Sequence, residues 1–150
     1  MKRLFTQFGR TPARSPRRRE QLLTRIATEL EIHSTIEEEI FYPAVSELRR
    51  GKGLVSEAKS EHREVDKLVA QAQGMDMDSP EVAVKVRQLR DAVLHHATEE
   101  EREMFPVAER ELREELPSLG RELRERKTEL ARSRVQRAKR ALKKTIRKVA

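Results

Sequence analysis

Apolar side chains recur at alternating intervals of three and four along most of this 150-residue chain, which is the period of an amphipathic helix. The first long run contains Leu23, Ile26 and Leu30, and the next two positions of the same stripe are His33 and Glu37. A charged carboxylate on a core-facing stripe costs free energy unless a partner satisfies it. The sequence therefore predicts helices that bury polar groups around a shared partner.

The composition favours an all-α fold. Aromatic residues make up 3% of the chain, and there are only 5 Gly and 6 Pro, whereas sheets need β-branched and aromatic side chains and frequent turns. Helices are predicted over about residues 1–8, 17–50 (with a bend or break near Pro43, and an end at Gly51 and Gly53), 54–73 and 80–107. Four helices with short connections and one apolar stripe each predict an up-down four-helix bundle.

Charge divides the chain into two parts. Residues 119–150 hold 13 Lys/Arg and 3 Glu, which leaves 20 basic and 23 acidic residues in the first 118. We therefore predict a bundle over residues 1–118 and a basic helical tail over residues 119–150. The chain has no Cys, which excludes disulfides and thiolate ligands but does not decide the compartment. It has no apolar run long enough for a signal peptide or membrane span, so a cytoplasmic protein is expected.

The stretch HSTIEEEIFYP, residues 33–43, has a counterpart in HATEEEREMFP, residues 96–106. In both copies the His is followed by Glu at the fourth and fifth positions and by Pro at the tenth. The spacing predicts a duplicated helix pair related by a pseudo-twofold axis. Each copy places a His and a Glu one turn apart on the core face, where both can reach a common point.

A third histidine, His62, lies on the core stripe of the third helix, and no Lys or Arg lies on these stripes to pair the carboxylates. A metal ion inside the bundle would satisfy all these groups, and imidazole with carboxylate suits iron, manganese or zinc. Carboxylates from facing helices can also bridge two ions. The predicted ligands are His33, Glu37, His62, His96 and Glu100.

Alternatives stay open at individual positions. His62 taken alone could be a hydrogen-bonded core residue, Glu101 could replace Glu100 as a bridging ligand, and Asp66 could add a donor one turn after His62. Four other polar residues are expected in solvent: Glu38, Glu39, His95 and Glu99. Three aromatic side chains are expected in the core: Phe41, Tyr42 and Phe105.

The stretches ELEIHSTIEEEIFYP, SEHREVDKL and LHHATEEEREMFP resemble the hemerythrin-like HHE cation-binding domains over about residues 1–130. The resemblance implies a four-helix bundle with a non-haem di-iron centre, whose ligands carry over to the same five residues. Family members also have an Asp-His pair on the first helix. Extending the stripe of Leu4 and Phe8 backward places that His upstream of Met1. We therefore expect either a true start further upstream or a truncated first helix that lacks this ligand. The site as given should bind one ion well and a second one weakly.

Two functional hypotheses follow. The first is a hemerythrin-like iron protein that handles dioxygen, nitric oxide or peroxide, or that senses or buffers iron; whether it is an enzyme stays open. The second is a nucleic-acid or membrane-surface adaptor with a structural bundle. From Leu130 onward the chain has 9 Lys/Arg and no acid, so the tail either packs on the bundle or a second copy, or contacts polyanions without sequence specificity.

Overall fold

A computed structural model describes the backbone of residues 1–149 and the side chains of residues 1–137. The regular elements of this part of the chain are helices: α1 (Lys2–Arg10), α2 (Pro16–Ile36), α3 (Tyr42–Ser46), α4 (Gly51–Gln73), α5 (Pro80–Glu99), α6 (Phe105–Glu111) and α7 (Leu116–Val149). Two five-residue π-helical turns, Glu37–Phe41 and Glu100–Met104, join α2 to α3 and α5 to α6. The prediction of an all-α bundle is confirmed.

The connection between α3 and α4 differs from the predicted one. The second helix was expected to end at Gly51 and Gly53, but α3 ends at Ser46 and α4 begins at Gly51. Here the chain turns so tightly that a Cβ on Gly51 would overlap the carbonyl oxygen of Val45. The glycine therefore permits a close approach between the two helices. Pro43 lies in the first turn of α3, where a helix tolerates a residue without a backbone N–H.

Two apolar clusters fill the bundle. The first joins α1, α2, α4 and α5 and consists of Phe5, Phe8, Leu22, Leu23, Ile26, Leu30, Val65, Leu68, Ala72, Val82, Val86 and Leu89. The second lies around α3, α4 and α6 and consists of Phe41, Tyr42, Val45, Val55, Ala58, Met104, Ala108 and Leu112. The helix α4 and the two π-helical turns connect one cluster to the other through a layer of polar side chains.

The helix α7 covers the second cluster from outside. Leu116, Leu119 and Leu123 pack against that cluster. Further along, the Arg126 guanidinium holds Glu39 through Nε–Oε2 and Nη2–Oε1 distances of 2.7 and 3.1 Å. The described part of the predicted tail therefore packs on the bundle, while the boundary at residue 118 stays a prediction.

Some predictions for the tail fall beyond the described side chains. The spacing of apolar residues in the tail predicts one face shared by Leu123, Leu130, Val135, Ala138, Leu142, Ile146 and Val149. The last four of these lie outside the described side chains. Val135 itself is 54% exposed. Among the helices that the structure describes, none is both long and apolar enough to cross a membrane.

Candidate metal centre

The polar layer between the two apolar clusters is made by four buried ionisable side chains. Their relative exposures are 7% for Glu37, 5% for His62, 4% for His96 and 4% for Glu100. Glu37 and Glu100 are each the first residue of a π-helical turn, which directly follows α2 or α5. The backbone hydrogen bonds of a π-helix span one residue more than those of an α-helix. Such π-helical turns concentrate at functional sites. Three helices thus bring their polar side chains to one point in the bundle.

Two outer carboxylates fix the orientation of the buried imidazoles. The Nδ1 atom of His62 lies 2.8 Å from Oε1 of Glu38, and Nδ1 of His96 lies 2.9 Å from Oε2 of Glu61. An ionised carboxylate can only accept a hydrogen bond, so each Nδ1 must carry the proton. The Nε2 atom of each neutral ring is then left with a lone pair that faces the centre, which is how carboxylate-held histidines bind metal ions.

The atoms that meet at the centre are mostly acceptors. The Nε2 atoms of His62 and His96 are 3.1 Å apart, and Oε2 of Glu37 lies 3.4 Å from Nε2 of His62. Tyr42 donates its phenolic proton to Oε1 of Glu100 at 2.7 Å, so its oxygen presents lone pairs to His62 at 3.2 Å. Oε2 of Glu37 is buried without a hydrogen-bond partner among the described atoms. Facing lone pairs of this kind require a positive charge between them.

The pKa shifts have the signs expected for such a layer. Burial lowers the pKa of His62, but the negative charges of Glu37 and Glu38 and the hydrogen bond to Glu38 outweigh it and leave this pKa above its usual value. Burial, and next the charge of Glu37, raise the pKa of Glu100. Burial, together with Glu37 and Glu100, raises the pKa of Tyr42, which therefore remains a donor. A bound cation would replace the protons that this layer otherwise retains.

The donor atoms form two overlapping groups. Glu37, His62 and His96 make one group, and His33, Glu37 and Glu100 make the other, with donor atoms within 4.8 Å of one another in each. Glu37 belongs to both groups and could bridge two ions. The structure therefore brings together all five residues that the sequence singled out, and their role as ligands stays a prediction.

His33 is less enclosed than its place on the stripe implied. Its Nε2 lies 3.2 Å from Oε1 of Glu37, yet its side chain is 51% exposed. The ring lines a groove of about 520 Å³ together with Met1, with Lys2 and Phe5 of α1, and with Lys127 of α7. Periodicity places His33 on the inner side of α2, but only the helices packed against that side decide how far it is covered.

Two partners of the imidazoles were not foreseen. Glu38 was expected in solvent, and its side chain is 41% exposed, but one of its oxygens holds His62. Glu61 was not singled out at all, although it directly precedes His62 in SEHREVDKL. It faces α5, where it holds His96 and lies 3.3 Å from Nε2 of the exposed His95. The feature of the sequence that could have indicated this role is the position of Glu61 directly before His62.

The remaining predictions divide between confirmed and wrong. His95 is exposed as expected. Glu101 and Asp66, which the sequence left open as further ligands, are exposed as well. Phe41 and Tyr42 are buried, but Tyr42 also acts as a hydrogen-bond donor. Phe105 was expected in the core and is 37% exposed, although its ring packs edge-to-face with the ring of Phe41 at a centroid distance of 5.9 Å.

Comparisons with known proteins agree with this geometry. Residues 1–108 match the family described as hemerythrin HHE cation binding domain. A crystal structure of a hemerythrin HHE cation binding domain-containing protein from Mycobacterium kansasii is 26% identical, covers 92% of this chain and 84% of its own, and superposes with a TM-score of 0.75. A DNA nickase from a Nostoc species is 31% identical over 102 residues, 68% of this chain, which spans 28% of the length of that relative. The chain therefore belongs to the hemerythrin HHE cation-binding domain family, and its bundle contains a buried His/Glu cluster suited to a cation.

Proposed function

We propose that the His/Glu layer binds iron and that the bound iron handles a small oxygen or nitrogen species or reports on iron supply. The observation that carries the proposal is the meeting of His62 Nε2 and His96 Nε2 at 3.1 Å, with both Nδ1 atoms held by carboxylates. No proton lies between two such lone pairs unless one ring becomes charged. A metal ion accepts both lone pairs without that cost.

The donor set favours iron among the candidate metals. Glu37, His62 and His96 supply two imidazoles and one carboxylate, the combination that non-haem iron(II) proteins use with coordination positions left open. When bound, iron would supply an open position for dioxygen, nitric oxide or peroxide together with one-electron redox chemistry. Zinc and manganese accept similar donors, so metal identity is the first quantity to measure.

The second donor group should hold an ion less tightly. It depends on His33, whose ring is 51% exposed, and on Glu100, one oxygen of which already accepts the proton of Tyr42. Glu37 would be shared between the two positions. We therefore propose a dinuclear centre with unequal affinities, in which the His62–His96 position fills first.

The experiment is a metal analysis of the chain purified without added metal, followed by anaerobic reconstitution with ferrous iron and removal of unbound ions. We expect about one iron per chain to be retained and about two at saturating ferrous iron, as in other bundle-core carboxylate centres. Stoichiometric zinc that iron does not displace would show that the metal assignment is wrong. Absence of any retained metal would favour a purely structural bundle.

A second candidate function rests on the tail. Residues 119–150 carry 13 Lys/Arg against 3 Glu, and the Nostoc relative is named a DNA nickase. The chain could thus serve as an adaptor for nucleic acid or an anionic membrane surface, with or without a metal in its bundle. This candidate does not compete with the first for the same residues.

A further inference from the structure

The groove over the exposed side of His33 has a volume of about 520 Å³ and an apolar lining from three helices. The apolar side chains that line it include Phe5 of α1, Leu30 of α2, and Val93, Leu94 and Ala97 of α5. Sites for small molecules are typically apolar clefts of about 300–1,000 Å³ with a few polar groups. The groove therefore has the size and the lining of a ligand site.

Leu94 is the residue that marks this surface in the sequence. The core stripe of α5 passes through Leu89, Val93 and His96, and Leu94 stands beside that stripe, one turn after Arg90. Its side chain is 38% exposed and lines the groove. A single exposed Leu needs no explanation, but one that joins other apolar side chains in a concave surface indicates a binding site.

Charged side chains at the groove carry a small positive balance. Lys2, Arg90 and Lys127 line it together with one acid, Glu29. Arg90 is already held by Asp91, through Nη2–Oδ1 and Nε–Oδ1 distances of 2.7 and 2.9 Å. Three basic side chains thus stand against two acidic ones, and the net charge of one fits a ligand with a single negative charge.

The docking of α7 supplies one of these cations. The ion pairs of Arg126 with Glu39 and of Arg134 with Glu31 hold α7 along α2. Lys127 directly follows Arg126, and it lines the groove opposite the side chains of α5. A lysine ammonium on a flexible stem is a point charge that can follow the head group of a ligand.

We propose that the groove binds an amphipathic monoanion, a molecule with one apolar chain and one carboxylate. The apolar chain would lie on Phe5, Leu30 and Leu94, and the carboxylate would meet Lys2 and Lys127. A carboxylate matches the net charge of the groove better than a phosphate monoester, which carries nearly two negative charges at neutral pH.

A second copy of the chain fits this surface less well. A stable interface buries about 800 Å² on each partner, which requires apolar surface well beyond one groove. Among the side chains that the structure describes, the exposed large apolar residues that do not line the groove are Val84, Phe105 and Val135. The exposed apolar surface near His33 is therefore confined to the groove, as expected for a small ligand.

The groove adjoins the metal centre. An inner cavity of about 40 Å³ is lined by His33, His62 and His96, among others, and it shares Leu30, His33, Val93 and Ala97 with the groove. A ligand in the groove would cover the ring of His33, whose side chain is 51% exposed. Slower exchange of the more weakly held ion is the expected consequence. This consequence rests on the proposed function, whereas binding in the groove does not.

The test uses the metal-free chain, so that its failure and the failure of the proposed iron site are separate results. Backbone amide NMR spectra of the 150-residue chain are recorded during titration with octanoate, with octyl phosphate and with the neutral 1-octanol, each up to about 3 mM. We expect octanoate to shift amide signals of residues 2–6 and 93–97, and to bind more tightly than either of the other two probes.

Two variants and two matched controls separate charge from apolar contact. Lys2→Gln with Lys127→Gln should weaken octanoate binding about fivefold, as expected for the loss of two exposed ion pairs, and should leave 1-octanol binding unchanged. Arg63→Gln with Lys67→Gln, at exposed positions of α4, is the control for charge. Leu94→Ser should weaken binding of both probes about threefold, and Val84→Ser, at a 50% exposed position of α5, is its control.

Four outcomes would overturn the proposal. The first is that neither anion shifts the signals of the groove residues. The second is that octanoate and 1-octanol bind equally well, or that the Lys2/Lys127 variant behaves like the Arg63/Lys67 control, because the head group would then play no part. Tighter binding of octyl phosphate would show that a carboxylate is the wrong head group. Shifts of the groove signals that depend on protein concentration without any added probe would assign the surface to a second copy of the chain.

Discussion

The two copies of the His-x-x-x-Glu stretch have the same layout and different surroundings. Their carboxylates are about equally buried, since Glu37 is 7% and Glu100 is 4% exposed. Their histidines are not, since the side chain of His33 is 51% exposed and that of His96 is 5% exposed. The stretch therefore sets the direction of a side chain, and the neighbouring helices set its environment.

The copies also differ at the positions one and five residues after the glutamate. In the first copy, Glu38 holds His62 and Tyr42 is fully buried, whereas in the second copy their counterparts Glu101 and Phe105 are exposed. The outer carboxylate for His96 comes instead from Glu61 of α4. Thus α4 lies between the two copies: its His62 is held by Glu38 of the first copy, and its Glu61 holds His96 of the second copy.

The largest expected effect compares the two histidines directly. His96→Ala should abolish iron retention at micromolar protein, because it removes a buried donor of the group that fills first. His33→Ala should mainly remove the second ion and leave about one iron per chain. Metal analysis after ferrous reconstitution measures both.

His95→Ala is the control for this pair, since His95 is an exposed neighbour of His96 and its loss should leave iron content nearly intact. Equal losses for His95→Ala and His96→Ala would contradict the assignment of faces on α5. Equal losses for His33→Ala and His96→Ala would contradict unequal affinities.

The next effect concerns the outer carboxylates. Glu61→Gln should weaken iron binding about 10–100-fold, because it replaces the charged acceptor that fixes the ring of His96 by a neutral amide. Glu38→Gln should have a smaller effect of the same sign, since its side chain is 41% exposed and water can replace it. Iron affinity measured by competition with a chelator gives the order.

Glu101→Gln is the matched control, because Glu101 is the exposed counterpart of Glu38. The iron affinity of this variant should equal that of the unmodified chain. An effect of Glu101→Gln as large as that of Glu38→Gln would mean that Glu101 turns inward as a ligand.

The smallest expected effect exchanges the aromatic residues of the two copies. Tyr42→Phe leaves Oε1 of Glu100 without its donor and should destabilise the metal-free chain by about 1–3 kcal/mol, the cost of an unsatisfied buried acceptor. The reverse exchange, Phe105→Tyr, adds a hydroxyl at a side chain that is 37% exposed and should change stability little. Urea unfolding of metal-free protein measures both, and an equal effect of the two exchanges would show that the hydrogen bond of Tyr42 contributes nothing.

The sequence by itself determined the helical class, the core stripes and the inward direction of His62, His96, Glu37 and Glu100. These follow from periodicity, because a residue's angular position on a helix depends only on its neighbours in the chain. The paired His-x-x-x-Glu stretches also predicted a common meeting point, since facing helices of a bundle bring their inner sides together.

Only the tertiary structure decided what covers and orients those side chains. The exposure of His33, the contact of Glu61 with His96 and the hydrogen bond from Tyr42 to Glu100 each depend on a different helix. The docking of α7 through Arg126 and Glu39, 87 positions apart, is likewise invisible in local spacing. Periodicity fixes direction within one helix, whereas burial and hydrogen bonding depend on distances between helices, which loop geometry and packing set.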